Sequence, residues 1–262
     1  MKYRVFLLDN DGVLANSNVF HYEGYRDIGK ENFPDIDYTY DEHMTLLGVS
    51  THDTFVAMLK NHGYGDRLQE TAIKEIVAKM EEEKKQDFQT RCENSTPEVL
   101  FPGIKEFIIS AKKAGIILIV CSSSSSVGVM IKNTELLPYI DYVVDTSKGS
   151  VDCITPAAIK NGKIPGKPEP DLFLVGFMRG KEILPDLKKE EVLGFEDATN
   201  GVAAIKRAGI DALYIGDVNH PSNKKAFKEF NVEPNYVVSH SSELTLAKVS
   251  ELIDEKTGEL SV

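Results

Sequence analysis

The segment RVFLLDNDGVL, residues 4–14, is the most informative part of this chain. Its apolar start predicts a buried strand of a parallel sheet, and two carboxylates, Asp9 and Asp11, follow directly. Parallel-sheet proteins keep their chemistry at the carboxyl ends of strands, and Gly12 permits a turn that points both aspartates into one crevice. Because two close carboxylates repel each other, the pattern indicates a site for a cation, a proton or a reacting centre. A turn with solvated aspartates is the alternative.

A serine-rich turn follows a second apolar run. Residues 116–121 predict a strand, Ser122 to Ser126 follow it, and a helical pattern begins at Val127. Backbone N–H groups and hydroxyls converge where such a turn meets the start of a helix, which is typical of a phosphate-binding site. A flexible serine linker is the alternative, although linkers do not usually follow an apolar strand directly.

Charged residues lie in two later segments. Lys167 lies in the proline-rich loop GKPEPD, before a helix predicted over residues 171–180. A short apolar strand over residues 192–195 ends at Glu196 and Asp197, and an amphipathic helix follows. A solvated loop lysine and a helix-capping aspartate are the ordinary alternatives, so each segment alone is weak evidence for function.

Together these motifs resemble the haloacid dehalogenase superfamily of phosphotransferases, in the branch of the β-phosphoglucomutases and the sugar-phosphate phosphatases. The resemblance implies an α/β fold with a Rossmann-like, doubly wound parallel-sheet core and an inserted α-helical cap domain. The motifs occur in the family's order over nearly the whole chain. They are LLDNDGVLANS (residues 7–17), FPGI (101–104), VCSSS (120–124), GKPEPDLF (166–173) and GFEDATNGVAAIKRAG (194–209).

The resemblance implies a role for each candidate side chain. Asp9 would attack phosphorus and form an aspartyl-phosphate, which splits one difficult displacement into two easier ones. Asp11 would protonate the leaving alkoxide and later deprotonate the incoming water or hydroxyl. Lys167 and the Ser122 hydroxyl would neutralise and orient the phosphoryl oxygens, and Ser123 would join them in binding the substrate phosphate.

The resemblance also implies a Mg²⁺ cofactor, because a carboxylate attacks a dianionic phosphate against its charge. The expected ligands are oxygens of Asp9, the backbone carbonyl of Asp11, and the Glu196/Asp197 pair. The expected function is therefore that of a Mg²⁺-dependent phosphatase, a phosphoric monoester hydrolase. Its partner would be a small phosphorylated substrate such as a sugar or polyol phosphate.

A β-phosphoglucomutase-like phosphosugar mutase is the main alternative. The mutases carry a lysine and an arginine in a cap segment of the form KGVSR, which grips the second phosphate of a bisphosphate. The matching residues 47–51 read LGVST, so neutral side chains replace both cations, although Arg26, Lys60 or Arg91 could supply the charge. Dehalogenases and phosphonate-cleaving relatives typically lack the acid corresponding to Asp11, and a non-catalytic relative would have lost motif residues.

The chain is organised as one domain inserted into another. We expect a discontinuous core domain, residues 1–14 and 100–262, and a helical cap domain over residues 15–99. Apolar residues at helical spacing predict two amphipathic helices in the cap, over residues 51–60 and 71–85.

Three further features have no assigned catalytic role. The charge run at residues 81–85 is interpreted as a solvated face. His21 falls where this branch carries a histidine at the entry to the cap, and it is interpreted as a core or capping residue. Residues 149–166 are interpreted as a surface insertion with a hairpin turn at residues 160–163, which could alternatively shape the substrate mouth.

Composition and charge exclude several classes of protein. The formal net charge of −11 argues against nucleic acid as a partner, and no apolar run reaches membrane-spanning length. Cys92, Cys121 and Cys153 lack metal-ligand spacing, which favours a reduced intracellular setting. Because the N-terminus enters the first strand without a signal peptide, we expect a cytoplasmic protein. We also expect the protein to be a monomer.

Overall fold

The computed structural model describes residues 2–46, 49–65, 70–146 and 164–258. Contacts divide the chain into two compact units, Met1–Asn16 with Ser95–Val262, and Ser17–Asn94. The division into a core domain and a cap domain over residues 15–99 stays a prediction. Several sequence features lie outside the described residues: Leu47 and Gly48 of the segment at 47–51, Cys153, the turn at 160–163, and most of the insertion at 149–166.

The smaller unit is helical. Its helices in the described residues are α1 (Asn18–Asn32), α2 (Tyr40–Thr45), α3 (Thr51–Asn61) and α4 (Glu70–Glu93). Both helices predicted from apolar periodicity are confirmed as α3 and α4. The Ser50 side chain caps α3 by accepting a hydrogen bond from the Asp53 N–H. Tyr25, Phe55 and Met58 are among the buried side chains that α1 and α3 contribute to the core of this unit.

The interpretation of residues 81–85 as a solvated face is wrong for Lys84. This lysine is only 4% exposed, whereas Glu82 and Lys85 of the same run are exposed. Val77, Met80 and Lys84 are all buried, and their spacing places them along one face of α4. Lys84 therefore lies on the apolar stripe of the helix, and not on its solvated side.

The larger unit is built on one parallel sheet. Its strands in the described residues are β1 (Val5–Leu8), β2 (Ile117–Cys121), β3 (Tyr142–Val144), β4 (Val192–Glu196), β5 (Asp211–Ile215) and β6 (Tyr236–Val238). They lie in the order β3-β2-β1-β4-β5-β6, and every neighbouring pair is parallel. The chain moves outward from β1 to β3 and returns as β4, so the topological switch point lies between β1 and β4.

Helices cover both faces of this sheet. Phe6 and Leu8 of β1 belong to one buried cluster, and Val5 and Leu7 belong to another on the opposite face. The predicted doubly wound α/β fold is therefore confirmed. The helices are α5 (Ile104–Lys113), α6 (Val127–Asn133), α7 (Asp171–Ile183), α8 (Thr199–Arg207), α9 (Pro221–Phe230) and α10 (Leu246–Thr257), with 3-10 helices at Pro97–Val99, Leu137–Tyr139, Lys189–Glu191 and Ser241–Glu243. Across the described ranges, none of the helices is both long and apolar enough to cross a membrane.

Candidate active site

Three strand ends meet at one edge of the sheet. β1 lies between β2 and β4, and all three strands run in the same direction. Asp9 follows β1, Ser122 follows β2, and Glu196 is the last residue of β4. The Asp9 N–H donates a hydrogen bond to the Phe195 carbonyl at 3.1 Å, which continues the sheet by one residue. The sheet therefore brings candidate residues from three distant segments to one place.

A tight turn follows Asp9. The Asn10 carbonyl accepts hydrogen bonds from the N–H groups of residues 13–15 at 2.9 to 3.3 Å, and the Ser241 hydroxyl donates to the Gly12 carbonyl at 2.7 Å. Gly12 has a φ of +81°, in the left-handed region that favours glycine. A Cβ at Gly12 would also overlap the Asp197 carboxylate. Glycine is therefore required here both by the backbone and by the space that Asp197 occupies.

Lys167 is the cation that neutralises part of this site. Its Nζ lies 2.7 Å from Asp9 Oδ1 and also contacts Glu196 Oε1. The Lys167 side chain is only 9% exposed, and both carboxylates are buried as well. Burial alone lowers the pKa of Lys167, but the charges of Asp9 and Glu196 outweigh it and raise the pKa above its ordinary value. The ammonium group therefore stays charged beside Asp9.

Asp9, Glu196 and Asp197 form a candidate metal centre. One carboxylate oxygen of each lies within 4.8 Å of the others. Burial raises the pKa of Asp9 well above its ordinary range, and the neighbouring acids add to this although Lys167 opposes it. Burial and then the charge of Glu196 raise the pKa of Asp197 to about 8. Lys167 alone does not offset this negative charge, and an all-oxygen set of carboxylates fits the ligand preference of Mg²⁺.

Gly201, in the first turn of α8, makes room for one of these carboxylates. A Cβ there would overlap the buried Glu196 carboxylate, so Gly201→Ala is expected to lower the free energy of unfolding by about 1–3 kcal/mol and to weaken Mg²⁺ binding. Gly128→Ala is the matched control, because a Cβ in the first turn of α6 meets no atom of the described residues within 4 Å. Alanine there should be at least as stable as glycine. Urea unfolding and Mg²⁺ titration measure both variants, and equal behaviour would contradict the placement of Glu196.

The second aspartate contacts the serine turn. Ser122 is fully buried, and its Oγ lies 3.4 Å from Asp11 Oδ2 while accepting a hydrogen bond from the Ser124 N–H at 3.1 Å. Ser123 is exposed, and its carbonyl accepts a hydrogen bond from the Thr146 hydroxyl. The structure thus brings Asp11 and Ser122 together, whereas the Ser123 side chain bonds to no other candidate in the described part of the chain.

Lys84 in the helical unit is a buried cation whose burial was not predicted, because it lies in a run of charged residues. Its Nζ lies 3.3 Å from His21 Nδ1 and about 5 Å from the ring centres of Tyr25 and Phe88. Burial lowers the pKa of Lys84 to about 8. Burial, followed by the charges of Lys84 and His43, lowers the pKa of His21 to about 3, so His21 is neutral and accepts a hydrogen bond from Lys84. The exclusion of His21 from the catalytic set stays a prediction.

Comparisons with known proteins extend over most of the chain. A family model described as haloacid dehalogenase-like hydrolase matches residues 3–209. The β-phosphoglucomutase of Bacillus subtilis strain 168 is 24% identical over 213 residues, which cover 81% of this chain and 83% of that protein. A phosphorylated carbohydrates phosphatase of Thermotoga maritima is 26% identical over 225 residues, covering 85% and 89%. The crystal structure of a β-phosphoglucomutase from Clostridium difficile shares the fold, with a TM-score of 0.63, 22% identity, and coverage of 98% and 99% of the two chains.

Proposed function

This chain belongs to the haloacid dehalogenase-like hydrolases, and we propose that within this family it is a Mg²⁺-dependent phosphatase of small phosphate monoesters. The substrate that we propose is a sugar or polyol phosphate. Two relatives are named for such substrates, as a β-phosphoglucomutase and as a phosphorylated carbohydrates phosphatase. The proposed intermediate is an aspartyl-phosphate formed on Asp9.

The contact between Lys167 and Asp9 is the observation that carries this proposal. Lys167 Nζ lies 2.7 Å from the proposed nucleophile in a buried setting, where charge interactions are strong. Burial and the neighbouring acids raise the pKa of Asp9, the Lys167 charge opposes this rise, and a bound Mg²⁺ would oppose it further, which favours the anionic nucleophile. The same ammonium group would neutralise phosphoryl oxygens as they approach Asp9.

In the first step, the Asp9 carboxylate attacks phosphorus and forms an aspartyl-phosphate, while the bond from phosphorus to the leaving oxygen breaks. The leaving alkoxide takes a proton from the Asp11 carboxyl group. The Ser122 hydroxyl lies beside Asp11 at 3.4 Å, so it can bind a phosphoryl oxygen next to the proton donor.

In the second step, a water oxygen attacks phosphorus and the Asp9 carboxylate leaves. Asp11, now ionised, accepts the proton of the attacking water and returns to its starting state. Inorganic phosphate and the free Asp9 carboxylate are the products, so the enzyme is regenerated with every proton accounted for. The cycle therefore needs Asp11 in both protonation states and Asp9 as the anion.

The carboxylates of Asp9, Glu196 and Asp197, with the backbone carbonyl of Asp11, would hold the Mg²⁺ ion. When bound, the ion would supply positive charge for the phosphate dianion and for the developing charge at phosphorus. The 4.8 Å cluster supports this assignment for the three side chains. Gly12 and Gly201 leave the space that two of those carboxylates occupy.

Hydrolysis is proposed over the mutase reaction because two of the three candidate cations, Arg91 and Arg26, are already engaged. Arg91 bonds to Glu23 at 2.5 Å, to Asp27 at 2.8 Å and to Asp87 at 2.8 Å. A mutase must hold the second phosphate of a bisphosphate, and a buried dianion without a cationic partner is unfavourable. An arginine shared among three carboxylates would have to leave them to serve that purpose.

The two other candidate cations differ from each other. Arg26 pairs with Asp27 at 2.7 Å and lies over the Tyr22 ring. Lys60 is exposed and forms no ion pair with any described residue, so it is the remaining source of charge for a second phosphate. Lys60→Met therefore distinguishes the two reactions, because a hydrolase that needs no second phosphate site should keep its rate.

The deciding experiment follows β-glucose 1-phosphate with Mg²⁺, primed with a trace of the 1,6-bisphosphate, by phosphorus NMR. Hydrolysis predicts that free phosphate accumulates faster than glucose 6-phosphate, equally in the wild type and in Lys60→Met. Faster accumulation of glucose 6-phosphate would establish a mutase, and its loss in Lys60→Met would assign the second phosphate to Lys60. A panel of sugar and polyol phosphates under the same conditions then identifies the leaving group.

A further inference from the structure

Asn10 separates the two aspartates of the first motif, and its side chain is buried. It is 1% exposed. The Nδ2 group donates one hydrogen bond to Met130 Sδ at 3.1 Å and another to Asp11 Oδ1 at 3.2 Å. The amide therefore links α6 to the carboxylate that is proposed to move protons.

The oxygen atom of this amide makes asparagine energetically unfavourable at position 10. Asn10 Oδ1 is buried and has no hydrogen-bond partner among the described residues. Burying an unsatisfied carbonyl oxygen disfavours the folded state, and an aliphatic side chain of similar size would avoid that cost. Positions where a chain departs from good packing in this way are concentrated at functional sites. Packing alone therefore does not explain this asparagine.

Both oxygens of Asp11 are held by donors from this loop region. Asn10 Nδ2 donates to Oδ1 at 3.2 Å, and the Ser122 hydroxyl approaches Oδ2 at 3.4 Å from the end of β2. The Ser122 hydroxyl carries a single proton, and when that proton turns to a phosphoryl oxygen, the Asn10 amide is the one of these two donors that still restrains the Asp11 carboxylate. Proton transfer depends steeply on such alignment, because a displacement of roughly 1 Å can cost about a hundredfold in rate.

We propose that Asn10 is a positioning residue whose side-chain amide fixes the Asp11 carboxyl group in the orientation that protonates the leaving group. This inference rests on the proposed function, in which Asp11 is the general acid of the first step. Asn10 itself touches neither the phosphoryl group nor the nucleophile in this assignment. Its effect should therefore appear only where the reaction needs a proton from Asp11.

The test compares two aryl esters that differ in the basicity of the leaving group and little in size, phenyl phosphate and p-nitrophenyl phosphate. The p-nitrophenolate ion leaves with little help from an acid, whereas phenolate needs a proton. The parameter kcat/KM is suitable because it reports the first step alone. In Asn10→Leu it should fall roughly tenfold more for phenyl phosphate than for p-nitrophenyl phosphate. The midpoint of thermal unfolding should be unchanged or higher, because the unpaired oxygen is gone.

Two further variants control the comparison. Met130→Leu removes the other acceptor of the Asn10 amide and leaves the contact with Asp11, so it should not change the ratio between the substrates. Asn10→Ala removes the donor without adding volume and replaces Asn10→Leu if leucine does not fold. Equal losses for both substrates, or no loss for either, would overturn the positioning role.

Asp11→Asn in the same assay separates this inference from the proposed function. A selective loss with phenyl phosphate in Asp11→Asn, without one in either Asn10 variant, would reject only the role of Asn10. If Asp11→Asn shows no selective loss, the assignment of Asp11 as the general acid fails and the role of Asn10 fails with it, whereas the phosphatase function is tested separately by the phosphorus NMR experiment.

Discussion

Asp9→Asn is expected to abolish turnover while the protein stays folded. The amide has nearly the shape of the carboxylate, but it lacks the negative charge and the nucleophilic oxygen that attack phosphorus. Burial, followed by the neighbouring acids, raises the pKa of Asp9 and so disfavours its charge, although Lys167 opposes this. A neutral side chain at this position should therefore be tolerated, because Lys167 keeps its contact with Glu196.

Phosphate release from p-nitrophenyl phosphate, measured with Mg²⁺ and with EDTA, provides the readout. The wild type should lose activity in EDTA, and Asp9→Asn should be inactive in both conditions. Asp186→Asn is the matched control, because Asp186 is an exposed aspartate that pairs with Arg4 on the protein surface. This control should keep the wild-type rate. If Asp9→Asn retains more than a small fraction of that rate, Asp9 is not the nucleophile.

Asp11→Asn is expected to slow catalysis by about 10²–10⁴-fold, the range typical of a lost general acid and base. Only the backbone carbonyl of Asp11 is assigned to the metal, so Mg²⁺ affinity should remain largely intact. The two substitutions should therefore differ in their effect on Mg²⁺ affinity, since the Asp9 side chain is assigned to the metal and the Asp11 side chain is not. The asparagine amide can still bond to Ser122, so the turn should keep its conformation.

Two measurements test this prediction: steady-state rates with phenyl phosphate, whose leaving group needs a proton, and a Mg²⁺ titration followed by the shift of the thermal unfolding midpoint. The titration is run without substrate, so that metal affinity is measured apart from turnover. Loss of Mg²⁺ binding together with activity would move the Asp11 side chain into the metal centre. Unchanged activity would mean that Asp11 is not the acid that protonates the leaving group.

The strands and most helices of this protein follow from local patterns. The apolar run before Asp9 is β1, and the run before Glu196 is β4, because a buried parallel strand needs apolar side chains on both faces. Helix ends were less predictable: α4 continues to Glu93, beyond the predicted residue 85. The end of a helix depends on what the last turns pack against, and apolar periodicity does not report that.

The candidate residues could be named from the sequence, because their motifs lie at strand ends and resemble a known family. The contacts that each of these side chains makes could not be predicted from the sequence. Lys167 and Asp9 are 158 positions apart, and the 2.7 Å contact between them forms because α7, which follows Lys167, packs against β1 and β2. The same holds for Glu196, which Lys167 also contacts. Pairing between distant charges is a property of the packed chain, since no local pattern encodes it.

The burial of two polar side chains was also missed from the sequence. Lys84 lies in a run of charges that was interpreted as a solvated face, and no environment was predicted for Asn10, yet both side chains are buried. Periodicity along α4 could have placed Lys84 on the apolar stripe, but no spacing rule could have paired Asn10 with Met130 of α6. Patterns along a chain specify which elements form and which face is apolar. The environment of one polar side chain depends on the elements that pack around it, and the sheet topology brings those from distant parts of the sequence.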